Sequence, residues 1–198
     1  MLRAAKSVLS SAALAALTGL GTAAVAPAQS AQPQTFSTLA IKADVVLSPE
    51  FCATTMKKGS VWTVKESFAV GENTCPKLET ELAKIFTGLS RISKLPEPND
   101  GAADIILVPK FGDIGATMAV GAFSNRELVV VLEWTALDRA GKTLWVQTVQ
   151  GSARKHMGNA FTHGKNMRKI TEATVDDLVE KSATQISSAP ELRKLSSK

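Results

Sequence analysis

The sequence predicts an α+β fold: a mainly antiparallel sheet with two helices packed on it, in the order strand, helix, strands, helix. Two observations point to it. Apolar residues alternate along residues 36–47 and again on both sides of a turn near residue 140. Two other stretches repeat them at helical spacing. At 198 residues, 44% hydrophobic and 21% charged, the chain is long enough to bury one real core and too short for two ordinary domains.

Taken in order, the first 28 residues lie outside that fold. "MLRAAK" is a short basic segment, "SVLSSAALAALTGLGTAAVA" is apolar, and Ala26-Pro27-Ala28 fits a small-x-small cleavage site, so residues 1–28 read as a signal peptide. A retained anchor is the rival, disfavoured because the run is mostly Ala with Ser, Thr and Gly, which insert weakly beside Leu or Ile. Loss of Arg3 and Lys6 with this segment lowers the formal charge from +5 to +3. Residues 29–35 form a polar lead-in, 36–190 a single domain, and 191–198 a C-terminal tail.

Leu39, Ile41, Ala43, Val45 and Leu47 share one face of a first strand. "SVWTVKESFAV" gives a weaker one through Trp62, Val64, Phe68 and Val70. "ENTCPKLETELAKIFTGLSRI" reads as a helix with Pro76 in its first turn and a stripe of Leu78, Leu82, Ile85, Phe86, Leu89 and Ile92. After the loop "SKLPEPNDGAA", the nearly continuous apolar run "DIILVPKF" fits a central strand covered on both faces. "DIGATMAVGAF" is a further strand weakened by glycine, and Met167 to Ile186 a second helix, with Pro190 a stop.

Between them, residues 127–137 and 143–153 form a hairpin holding Trp134 and Trp145. A symmetric loop sets the two tryptophans opposite each other. A type I turn from Asp138 with Gly141 left-handed makes a three-residue loop with a bulge and sets Trp134 opposite Val146. The second register segregates apolar from polar side chains better, so Trp134 is expected in the core and Trp145 on the opposite face. That face is then either covered by a helix or an exposed patch for a partner or lipid.

Chemistry-bearing motifs are scarce. The chain has two cysteines, and in an exported protein Cys52 and Cys75 are expected to pair as a disulfide rather than stay as buried thiols. His156 and His163 are seven residues apart in "HMGNAFTH", a spacing that matches no metal motif, and both read as surface residues. No G-x-S-x-G elbow, P-loop or Cys-x-x-Cys occurs, so neither a cofactor nor a metal is expected. The clearest charge feature is a stretch from Arg139 to Thr171 without one acidic residue, containing Arg139, Lys142, Arg154, Lys155, Lys165, Arg168 and Lys169. It reads either as a solvated face or as a dock for anionic head groups. Nucleic acid is a poor partner for an exported chain, and aromatic interleaving in the basic segment is thin, with Phe161 nearly alone.

The element order, the "VVVLEWTALDRAGKTLWVQTVQG" hairpin and the closing "TVDDLVEKSATQISSAPELR" helix resemble small Gram-negative envelope lipoproteins, namely the YajG-like group and the auxiliary lipoproteins of ABC-type lipid transport. The resemblance spans residues 36–193 and implies a periplasmic, non-enzymatic accessory protein in envelope assembly or lipid traffic. It departs in one respect: such a lipoprotein carries a cysteine directly after the cleavage site, and Cys52 lies far beyond Ala28. The expectation is therefore an exported binding protein that meets an envelope complex or anionic lipid through Arg154, Lys155, Lys165, Arg168, Lys169 and Trp145. The alternative is a periplasmic hydrolase with a site near His156 or His163.

Overall fold

The computed structural model describes residues 36–58, 66–117, 125–156 and 163–197. Its central element is a five-stranded sheet in the order β4-β1-β5-β6-β7, made of β1 (Leu39–Val46), β4 (Phe86–Ile92), β5 (Ile105–Thr117), β6 (Asn125–Asp138) and β7 (Thr143–His156). A small antiparallel pair, β2 (Met56–Lys58) and β3 (Glu66–Phe68), lies between β1 and β4 in the chain. Among the described residues four helices, where two were expected, complete the fold: α1 (Pro49–Cys52), α2 (Val70–Leu82), α3 (His163–Ser188) and α4 (Pro190–Ser196).

The sheet is mixed, which corrects the expected mainly antiparallel one. β1 runs parallel to both β4 and β5, whereas β5-β6 and β6-β7 are antiparallel. One of the two parallel pairings comes from residues 86–92, expected as the end of a helix. Helix α2 stops at Leu82 in a tight turn, with Ile85 N–H donating to the Leu82 carbonyl at 2.9 Å, and residues 86–92 continue as strand. Thr87, Gly88 and Ser90 hold the helix off there, since all three favour other conformations, and Phe86 is buried against the core as a strand residue. A strand at that point must cross over to lie parallel beside β1.

The alternation seen in β1 holds: Leu39, Ile41, Ala43 and Val45 are buried on one face. They meet Ile105 and Leu107 of β5, the even residues Leu128 to Ala136 of β6, and Leu78, Val175, Leu178, Ile186 and Leu192 from three helices in one core. Past Leu107, β5 leaves β1 and continues with β6 and β7 as a three-stranded ribbon. Pro109 sits just beyond the β1 pairing, at a position whose amide faces away from β6, so its missing N–H costs no ladder bond. The segment 113–117, expected as a separate strand, is the end of β5 after a bulge between Phe111 and Ile114; residues 118–124, like Trp62 and Val64, lie outside the described residues.

The helices are held by close backbone contacts. Ser48 Oγ accepts from Phe51 N–H at 3.1 Å to cap α1. The Cys52–Cys75 disulfide, Cα–Cα 5.7 Å, joins α1 to α2 as expected from the sequence. Gly71 is required at this junction, because a Cβ there would stand 2.3 Å from the Phe51 carbonyl oxygen. Pro76 falls inside α2, not in its first turn. Pro190 does not end the fold: Ala189 breaks α3, and Pro190 opens α4, whose Leu192 is wholly buried, so helix replaces the expected tail over these residues.

Candidate binding surface at the basic end of the sheet

The hairpin sets the register of everything on β7. Gly141, at φ +80°, donates to the Asp138 carbonyl at 3.0 Å, and Asp138 N–H donates to the Lys142 carbonyl at 2.9 Å. This is the expected three-residue loop, and Leu137 faces Thr143 as it requires. A second bulge follows at once. Ala136 faces Trp145, leaving Leu144 as an extra residue, so Trp134 lies opposite Gln147 rather than Val146.

Trp145 therefore shares the helix-facing side with Trp134, against the expectation that it lies on the opposite face. It is half-buried and packs against the core, while Val146 takes the outward position at 60% exposure. Trp134 is wholly buried, as expected, and its Nε1–H donates to Ser182 Oγ at 3.0 Å.

At the other end of β7 the cations collect. Arg154 is exposed and stands across the strand pair from Glu127; Lys155 stands across from Arg126. Helix α3 folds back antiparallel to β7, with Thr174 and Leu178 over Gly151 and Lys181 reaching the Gln150 carbonyl at 3.3 Å. Gly151 makes this approach possible, because a Cβ would stand 2.5 Å from Leu178 Cβ and 2.6 Å from the Thr174 carbonyl oxygen. From that anchor, nine helical residues back to Lys165 rise ~13 Å, and four strand residues on to Lys155 rise ~13 Å. The first turns of α3 thus lie level with the end of β7.

Met167, Ile170 and Thr171 of those turns are buried, while Lys165, Arg168 and Lys169 point to solvent. Arg168 pairs with Glu172 at 3.6 Å, both well exposed. Among the described residues, this end carries six cations (Arg126, Arg154, Lys155, Lys165, Arg168 and Lys169) against two carboxylates, Glu127 and Glu172. Arg154, Lys165, Arg168 and Lys169 are exposed, and such long side chains are suited to meeting a charged surface rather than enclosing a small molecule.

The structure divides the acid-free stretch in two. Arg139 and Lys142 belong to the opposite end, where Arg139 is engaged with the Ala103 carbonyl at 2.6 Å and Asp104 Oδ1 at 2.8 Å. Trp145, nine residues along β7 from Arg154, is ~30 Å away from the basic end and is not part of it. His156 is exposed opposite Asn125, and the side chain of His163 lies outside the described residues. Among the described residues no group of three His, Cys, Asp or Glu side chains is placed to hold a metal.

A second concave region lies beside β1, under the 93–104 connection that crosses it. It is an open cleft of about 530 Å³ lined in part by Asp44, Lys94, Glu97 and Asp100. Burial raises the Asp44 carboxyl above the ordinary aspartate range. No sequence pattern marked it, because its residues come from separate elements.

No protein-family model matches the chain, and no curated protein sequence does. Among solved structures the chain is similar to a Xanthomonas campestris protein of the DUF330 family, with 8% identity and a TM-score of 0.53, over 84% of this chain and 92% of that one. It is also similar to a minor lipoprotein from Acinetobacter baumannii, with 14% identity and a TM-score of 0.49, over 76% of this chain and 92% of that one. Lipoprotein B from Nitrosomonas europaea gives 15% identity and a TM-score of 0.46, over 84% and 88% of the two chains. At 8% identity the likeness to the Xanthomonas protein is one of fold: a mixed α+β fold is common to both chains.

Proposed function

We propose that this is an exported, non-enzymatic accessory protein of the Gram-negative envelope, akin to the YajG-like and lipid-transport auxiliary lipoproteins, which docks through its basic end onto an anionic partner. The segregation of six cations with two carboxylates at one end of the sheet carries the reading. Each well-placed cation near an anionic surface contributes about 1 kcal/mol. The N-terminal segment and the Cys52–Cys75 bond support export to an oxidising compartment. With the chain's two cysteines bonded to each other, neither is free to carry a lipid, and the basic end is the proposed means of attachment. Among the described residues no helix is long and apolar enough to cross a membrane.

Cell fractionation tests the reading. The chain, shortened by its first 28 residues, should be found with the envelope and be released by a high-salt wash, because exposed charges are screened within ~3 Å at 1 M salt. Full-length chain in the cytoplasm, or an envelope form that only detergent releases, would contradict it.

A further inference from the structure

The five-stranded sheet ends at β7, a fourteen-residue strand. A strand of that length with a free edge is a template for pairing with another chain. In β7 the even-numbered residues past the bulge turn their N–H and C=O groups away from β6, since the odd-numbered ones bond to it. Two of these outward groups are already taken by side chains of α3. Asp177 Oδ2 accepts from Ser152 N–H at 2.8 Å, and Lys181 Nζ donates to the Gln150 carbonyl at 3.3 Å. The same Asp177 oxygen accepts from Lys181 Nζ at 2.7 Å, so the two side chains form one unit laid along the edge. Together they supply the acceptor and the donor that a sixth strand would bring. The close approach of α3 at Gly151 is what lets them reach.

A second copy of β7 is a strand this edge fits. Antiparallel pairing on a two-fold axis at Gln150 sets Thr148 against Ser152 and exposed Val146 against Arg154, with no like charges opposed. The Asp177–Lys181 unit occupies the middle of that register. We propose that Asp177 and Lys181 are an edge guard, holding shut a surface on which two copies of this chain would otherwise join their sheets.

The test is the oligomeric state of the wild-type chain, freed of its first 28 residues, and of a D177A/K181A variant, by sedimentation equilibrium. The wild type should be monomeric, and the variant should dimerise at least about tenfold more tightly, a shift of ~1.4 kcal/mol. Thr148→Pro in the variant background should restore the monomer, because the Thr148 N–H points outward and proline there removes no bond to β6. Asp177→Asn alone keeps an acceptor and should stay monomeric. If the double variant fails to fold, Lys181→Met alone, which of the two edge groups frees the Gln150 carbonyl and leaves the Ser152 N–H bonded to Asp177, should show weaker dimerisation of the same kind. The proposal is overturned if the open-edge variants remain as monomeric as the wild type, if the dimer survives Thr148→Pro, or if the wild type dimerises equally well.

Discussion

Trp134 of β6 and Ser182 of α3 are both wholly buried and bonded to each other, the indole N–H donating to the hydroxyl at 3.0 Å. One polar contact thus fixes where the long C-terminal helix sits on the sheet. It also explains how an indole can occupy the middle of an apolar core without an orphaned donor.

Ser182→Ala should leave that N–H unsatisfied and cost ~1–3 kcal/mol, although it removes only an oxygen. Trp134→Ala should cost ~3–5 kcal/mol, as expected for emptying a large core site. In urea unfolding, Trp134→Phe combined with Ser182→Ala should lose less than the two single changes together. Strict additivity would mean the bond contributes nothing.

On β7 the outward position belongs to Val146 and not to Trp145. Trp145→Ala should therefore destabilise the fold, by less than Trp134→Ala because its ring is only half-buried. Val146→Thr should fall within ~0.5 kcal/mol of wild type, the usual range for exposed positions. A costly Val146→Thr with a neutral Trp145→Ala would restore the unbulged register.

Gly151→Ala should be among the most damaging single-methyl insertions in this chain. Its Cβ would meet the Thr174 carbonyl oxygen at 2.6 Å, a backbone atom that moves only if α3 moves. A loss of ~1–3 kcal/mol is expected in denaturant melts. A neutral result would show that α3 is not seated on β7 as described.

Free-thiol labelling of exported protein, denatured without reductant, should find no reactive cysteine. Cys52→Ser with Cys75→Ser opens a loop of 23 residues in sequence separation. The expected loss is ~3 kcal/mol on the chain-entropy account. Two labelled thiols, or an unchanged melting profile, would count against the bond.

Several of these features were legible in the sequence, and the failures have physical causes. The alternation through Leu39 to Val45 and the Asp138–Gly141 turn are local patterns, and both hold. The stripe from Ile85 to Ile92 satisfies helical spacing, yet Thr87, Gly88 and Ser90 favour the strand that a parallel neighbour stabilises. The bulge at Leu144 left its mark further along β7. Val149, Gly151 and Ala153 turn inward, while Thr148, Gln150, Ser152 and Arg154 turn outward, a segregation the register through Trp145 alone does not show. The cations of the basic end were visible as a run without acids, but their division between two ends of the molecule depends on the direction of β7 and the return of α3. The cleft at Asp44 had no local signature at all, being built from β1 and the distant 93–104 connection.

The most direct test is cosedimentation of the chain, freed of its first 28 residues, with vesicles of zwitterionic phospholipid containing about a third anionic phospholipid, at low and at physiological ionic strength. Screening shortens the Debye length from ~30 Å at 0.01 M to ~8 Å at 0.15 M, so binding should be strong in the first and clearly weaker in the second. Charge reversal at Arg154, Lys155, Arg168 and Lys169 should abolish it while leaving the urea midpoint nearly unchanged, since three of the four are exposed and Lys155 is only half-buried. Wild-type protein that ignores anionic vesicles at low salt, or a reversed variant that binds as well as wild type, would contradict docking on an anionic membrane surface through the basic end.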